Sequence, residues 1–257
     1  VGIIPKPNVK FSGEIDTTLN SAFLASSGAI YDTRPVLTQC LSLRGELNEH
    51  FFIDAYGWVI SSLHTLQKES HRVLFNEFEG AIRLGHDYYF SKNVLLESKA
   101  GALWNPQIGY YDAHNNYWGP YIAQYLKNDY VIPYWDGLWM LAPRRSGRVR
   151  IGVRKPLKYS EKLSFTPFVE TIWMDRRRFA SRYSDVPTRH AFLGGAFGTL
   201  TFGATVRYKI SERFSWNFSF SQFDIINSQA RRALKKSPKY YAKCDWPVFK
   251  LGLTYNF

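Results

Sequence analysis

The sequence predicts a closed antiparallel β-barrel that crosses a bilayer with its strands, and three observations carry that prediction. Apolar and polar residues alternate with a period of two through most of the chain, the pattern of strands with one face on an apolar medium and the other on water. Short connections between these segments alternate with long ones. Aromatic residues make up 17% of the 257 residues, yet the mean hydropathy is −0.29. A barrel reconciles these two values by turning its rings to lipid and its polar groups to the lumen. No run reaches the roughly 18 apolar residues that a membrane helix needs. Spanning then falls to a closed sheet, which leaves no backbone group unpaired in hydrocarbon. The whole chain, 1–257, reads as one domain.

From the N-terminal side, Val9, Phe11, Ile15 and Leu19 alternate with Lys10, Ser12, Glu14 and Asp16. Leu37, Leu41, Leu43 and Leu47 alternate with Thr38, Ser42, Arg44 and Glu46; a turn at Asn48 and Glu49 leads into Phe51, Ile53, Ala55 and Val59. Leu74, Phe78, Ile82 and Leu84 follow, set against Glu77, Glu79 and Arg83. After a turn at 91–93, Val94, Leu96, Ala100, Ala102 and Trp104 oppose Glu97 and Lys99. In the second half, Val149, Ile151, Val153 and Leu157 oppose Arg148, Arg150, Arg154 and Lys158, and a turn at 159–161 opens Leu163, Phe165, Val169 and Trp173. Leu200, Phe202, Val206, Tyr208 and Ile210 oppose Thr199, Thr201, Thr205, Arg207 and Lys209. Ser211 and Glu212 then form a hairpin into the clearest strand, where Phe214, Trp216, Phe218 and Phe220 face away from Ser215, Asn217, Ser219 and Ser221.

Turns near 48, 91, 160 and 211 are short, whereas the connections 24–35, 61–71, 175–198 and 225–246 are long. The stretch 105–147 admits two readings. Two strands at 118–126 and 130–141, with a turn at 127–129, give twelve strands in all; one long connection gives ten. Val131, Trp135, Trp139 and Leu141 on one parity favour twelve, and Pro120 and Pro133 count against regular strands.

The last segment places Phe249, Leu251, Leu253, Tyr255 and Phe257 on one face. Its spacing of a polar residue, a glycine, an aromatic and a terminal aromatic (Lys250, Gly252, Tyr255 and Phe257) resembles the C-terminal signal of bacterial outer-membrane β-barrel proteins. That resemblance implies residence in the outer membrane, both termini periplasmic, short periplasmic turns and long external loops. It also implies recognition of the signal by the barrel-assembly machinery and closure of the last strand on the first. No narrower family is implied, and no functional residue carries over.

The formal net charge of +12 points to nucleic acid or an anionic membrane surface, and where the charges fall decides between them. With polar parity turned inward, the first half supplies Glu14, Asp16, Asp54, Glu77, Glu79 and Glu97, with Arg44, Arg83 and Lys99 among them. The second half supplies Arg148, Arg150, Arg154, Lys158, Arg207, Lys209 and Lys250 against Glu170. The expected lumen sets a mainly acidic wall opposite a mainly basic one. If it is open, the protein is a narrow channel for small polar or anionic solutes, lined by Arg148, Arg150, Arg154, Lys158, Arg207, Lys209, Glu77, Glu79 and Glu97. If the walls pair and fill it, the barrel is a structural, adhesive or complex-forming component.

Basic residues in the long connections, namely Arg176, Arg177, Arg178, Arg231, Arg232, Lys235 and Lys236, are candidates for contact with lipopolysaccharide at the membrane surface. Tyr240 and Tyr241 interleave with loop cations, but nucleic acid is not an expected partner, because the aromatics elsewhere sit on strand faces where lipid accounts for them. A third reading, a lipid hydrolase or protease, rests on Asp112 beside His114. No His-x-Ser step, phosphate loop, zinc spacing or nucleophile elbow accompanies it, so no catalytic, cofactor or metal residues are assigned. Cys40 and Cys244 form either one bridge or two free thiols.

Overall fold

The computed structural model describes residues 9–24, 30–63, 77–105, 117–142, 145–178, 194–236 and 244–257. Strands β1 (Lys10–Asn20), β2 (Val36–Glu46), β3 (Phe51–Ser62) and β4 (Glu77–Ser91) come first. They are followed by β5 (Val94–Asn105), β6 (Tyr117–Lys127), β7 (Ile132–Met140) and β8 (Ser146–Arg154). β9 (Leu163–Met174), β10 (Ala196–Lys209), β11 (Phe214–Ile225) and β12 (Asp245–Asn256) complete the ring. Each pairs antiparallel with its neighbours in the chain, and β12 pairs with β1 to close the sheet. The two-residue strand Leu157–Lys158 extends the edge beside the start of β9.

Exposure follows the sequence alternation. Phe214, Trp216 and Phe218 are 41%, 56% and 46% exposed, whereas Ser215 between them is 2% exposed. Trp104, Trp118, Trp139, Phe202, Leu251 and Leu253 are exposed in the same way around the ring. An apolar surface of that extent fits lipid and not water.

The stretch 105–147 contributes β6 and β7, which settles the count at twelve. Pro120 and Pro133 are tolerated because the β6–β7 ladder runs only over 121–125 against 134–138, and both prolines lie outside it. Val131, Trp135, Trp139 and Leu141 face outward, 38%, 37%, 50% and 39% exposed.

The β1–β12 seam carries the terminal signal. Phe257 and Gly13 exchange two backbone hydrogen bonds of 3.0 Å each. The Phe257 ring lies over Gly13, its Cζ only 2.3 Å from where a Cβ would stand. A side chain at residue 13 would displace that ring, so glycine lets the terminal aromatic lie flat on the seam.

One segment departs from expectation. Within 225–246, read as a basic connection, Ser228–Lys236 forms a helix, α1. Asn227 caps it, its side-chain oxygen accepting from the amides of Gln229 (2.9 Å) and Ala230 (3.0 Å). Ala230, Ala233 and Leu234 recur at helical spacing among the cations. That apolar stripe seats α1 on Ile172, Met174 and Ile225, which point inward at the rim of β9 and β11. Cys40 and Cys244 are free thiols.

Candidate functional site

The candidate site is the lumen, and its two sides are built differently. Along β3–β8 the inner face is filled by large charged and aromatic side chains. Arg83 clamps Asp54 through Nε (2.6 Å) and Nη2 (2.9 Å), and Lys99 donates to the same carboxylate at 2.7 Å. Glu97 is a second hub, accepting from Lys127 (2.7 Å), from Arg44 of β2 (3.1 Å) and from Lys99 (3.2 Å). Arg44 also reaches Asp87 at 2.9 Å, its guanidinium lying 3.5 Å above the Phe52 ring. Glu79 is held by neutral donors: Tyr56 and Tyr117 hydroxyls at 3.0 Å each and Trp58 Nε1 at 3.3 Å. These groups are nearly dry; the side chains of Asp54, Arg83 and Lys99 are 9%, 11% and 13% exposed.

Along β10–β12, β1 and β2 the inner face is short. Gly203, Thr205, Ser215, Asn217, Ser219, Gly252, Thr254, Thr18, Thr38 and Ser42 all point inward by register. Their polar groups bond along the wall rather than across the lumen: Thr205 with Ser219 at 2.9 Å, Thr254 to Asp16 at 2.9 Å, and Asn217 to Thr254. Taller side chains rise from this floor into solvent. Arg207, Glu14 and Lys209 are 43%, 42% and 41% exposed, and Lys250 is exposed as well. The open side therefore leaves space that the packed side does not.

The two ends of this space also differ. At the short-turn end, a cavity of about 590 Å³ is lined by Lys158, Lys162, Arg207 and Lys209 with Glu161 and Glu212. At the long-connection end the inward residues are apolar, among them Val36, Ile60, Leu103, Met140, Met174 and Ile225. There α1 crosses the rim, and Arg178 turns inward above Tyr117, 4.9 Å from its ring centroid.

The predicted lumen residues are placed as follows. Arg150 is bound by Asp136 at 2.5 Å and lies 3.8 Å from Glu170. Arg154 lies over the rings of Tyr125 and Tyr134. Arg148 is 9% exposed, flanked across the sheet by Leu138 and Met174. Arg207, Lys209 and Lys158 reach the open cavity. Glu79 and Glu97 belong to the packed side, and Glu77 pairs with Ile60 through its backbone, its side chain lying outside the described residues. The acids thus find cations and hydroxyls one to three strands away on the same side of the ring, so that charges pair along that wall rather than across the lumen.

Of the surface candidates, Arg176, Arg177, Arg231, Arg232 and Lys235 are exposed. Arg178 is corrected: it is 6% exposed, because Asp175 caps the short turn that carries it (2.8 Å to its amide) and aims it into the barrel mouth. Lys236 ends α1, and its side chain, like the Asp112–His114 cluster, lies outside the described residues. Of the assembly-signal residues, Gly252 and Lys250 face inward while Tyr255 and Phe257 face outward at the short-turn end. Sequence reasoning missed α1, whose signal was the Ala230, Ala233, Leu234 spacing, and the isolation of Lys250, which only cross-strand neighbours define.

No protein-family model matches the chain, and no curated protein matches it in sequence. Among solved structures, an outer membrane channel from Pseudomonas putida F1 is similar with a TM-score of 0.55, 10% identity and coverage of 100% of both chains. The NanC porin is similar with a TM-score of 0.53 and 6% identity, covering 95% of this chain and 98% of the porin. At these identities the likeness is one of fold: the chain has the architecture of bacterial outer-membrane β-barrels.

Proposed function

We propose that this protein is an outer-membrane channel that passes small polar solutes, with a preference for anions, along one side of its lumen. The observation that carries the reading is the contrast between the packed face of β3–β8 and the short-residue face of β10–β12 and β1, where charged side chains stay hydrated inside the ring. A side-chain-filled barrel has about eight strands, and at twelve the circumference exceeds what one packed face can fill. The passage is accordingly eccentric and narrow. In the same reading the short-turn end is periplasmic, the seam formed by Phe257 follows from the barrel-assembly machinery, and the long connections with α1 face lipopolysaccharide.

Planar-bilayer recording on the detergent-purified barrel tests the reading, with the folded state verified by its altered gel mobility before boiling. A small, steady conductance with a reversal potential on the anion side is expected. A folded barrel that stays silent rejects the channel and favours the non-conducting alternative, in which α1 and the packed face close the lumen.

A further inference from the structure

We infer that Lys250 is the charge that a permeating anion meets at the middle of the passage, and that the arginine row of β8 is not; this deepens the channel reading above and rests on it. Most of the other inward cations are already held by partners. Arg44, Arg83, Lys99 and Lys127 are committed to Asp54, Asp87 and Glu97. Arg150 is neutralised by Asp136, Arg154 rests on two tyrosine rings, and Arg148 is buried between apolar neighbours. Lys209 pairs with Glu212 at 2.9 Å, and Arg207 donates to Ser215 at 2.9 Å while lying 3.8 Å from Glu14. Lys10 and Lys158 are exposed without a partner as well, but both stand at the short-turn end. Among the described inward cations at mid-height, Lys250 alone is both exposed and without a hydrogen bond or ion pair.

Its surroundings explain that isolation. Lys250 is the sixth of the twelve residues of β12, at mid-height. Its direct neighbours across the sheet are Ser219 and Asn20, and two residues further along its own face is Gly252. None is tall enough to shield or bind the ammonium. Asp16 and Glu170 act on it only through their fields. An ammonium with all its donors free, standing over a floor of short residues within a ring of low-dielectric wall, concentrates counter-ions strongly. The solute class it fits is a small anion carrying a carboxylate or phosphate group, or a halide. Arg207, one step nearer the short-turn end with Asn217 and Gly252 between, supplies the next contact along the same side.

The test measures reversal potentials across a chloride gradient for the wild type, Lys250→Gln, Lys250→Glu and Arg148→Gln. Refolding in detergent keeps assembly-machinery effects on the terminal strand out of the comparison. Lys250→Gln should lower the anion-to-cation permeability ratio several-fold and Lys250→Glu should carry it to the cation side. Arg148→Gln should change it less than Lys250→Gln does. Should Lys250→Glu fail to refold, Lys250→Cys with Cys40→Ser and Cys244→Ser is modified after folding. A sulfonate-bearing thiol reagent should then turn the open channel toward cations, and an ammonium-bearing one should restore the wild-type preference. A conducting barrel indifferent to these changes overturns the inference and leaves the channel reading standing. A silent wild type overturns that reading and the inference with it.

Discussion

The two sides of this barrel use charge for opposite purposes. On β3–β8, the carboxylates whose side chains are described are matched to cations or hydroxyls one to three strands away, and solvent is largely excluded. On β10–β12 and β1, the wall is short and hydrogen-bonded to itself, so the few charged side chains that rise from it remain wet. Pairing distances alone do not separate the two sides; exposure does. A dry ion pair costs desolvation that only its partners offset, so removing one partner is severe. A wet charge loses little on neutralisation, yet it sets the ion population of the passage. The lesson is that counting inward charges overstates how many of them a solute can meet.

The largest expected effect breaks the packed side. Asp54→Ala leaves Arg83 and Lys99 facing each other in a nearly dry site and should cost about 3–5 kcal/mol. On the open side, Ser219→Ala removes only the bond with Thr205 and should cost about 0.5–1.5 kcal/mol. Unfolding in urea or the temperature of the gel-mobility shift measures both. Equal losses would mean that the two sides do not differ as described.

The next effect concerns the mouth. Leu234 of α1 is fully buried against Ile172, Met174 and Ile225, so Leu234→Asp removes an apolar contact worth roughly 2–3 kcal/mol and places a charge there. The ring itself should persist, because no strand pairing involves α1. Larger or more frequent openings in bilayer records are expected. Unchanged conductance with α1 protease-accessible would show that the helix does not restrict the passage.

A smaller effect distinguishes the sides by volume. Ser219→Trp projects an indole from the short floor toward the passage and should lower conductance several-fold while leaving strand pairing intact. On the packed side, Tyr134→Phe removes only the hydroxyl that donates to Glu170 at 2.7 Å, and conductance should stay close to wild type. The reverse ranking would place the passage along the other wall.

How much of this was legible in the sequence depends on the range over which each feature is defined. Strands were legible because alternation is local: Phe214 to Ser221 states its own two faces, and even the proline-bearing 118–141 kept its parity. The lumen's chemistry was not, because it depends on which strands become neighbours. Arg44 meets Glu97 across 53 residues, and Arg207 meets Glu14 only across the closed seam. Inward parity therefore identified the charged residues without saying which are paired. Arg178 and α1 were obscured for a related reason: in runs this basic, three apolar residues or one buried arginine change little in composition yet decide how the segment packs.

The smallest expected effect lies on the upper face of α1, which contrasts with its underside. Arg231, Arg232 and Lys235 are exposed while Ala230 and Leu234 beneath them are fully buried, so the helix offers cations to whatever covers the long-connection end. If that surface meets lipopolysaccharide, neutralising the three together should weaken binding by a few-fold, each exposed charge contributing less than about 1 kcal/mol. The barrel's unfolding should shift little: Arg231 donates to the Ile225 carbonyl at the end of β11, a single bond at the rim, and α1 stays seated by Ala230 and Leu234. Because the charges are exposed, raising ionic strength should reproduce most of the loss in the wild type and add little in the triple variant. Binding of purified lipopolysaccharide to the detergent-solubilised barrel, titrated with salt for both proteins, measures this. Affinity that ignores both salt and the substitutions would assign the upper face of α1 to solvent, leaving only its packing on Ile172, Met174 and Ile225 to explain the helix.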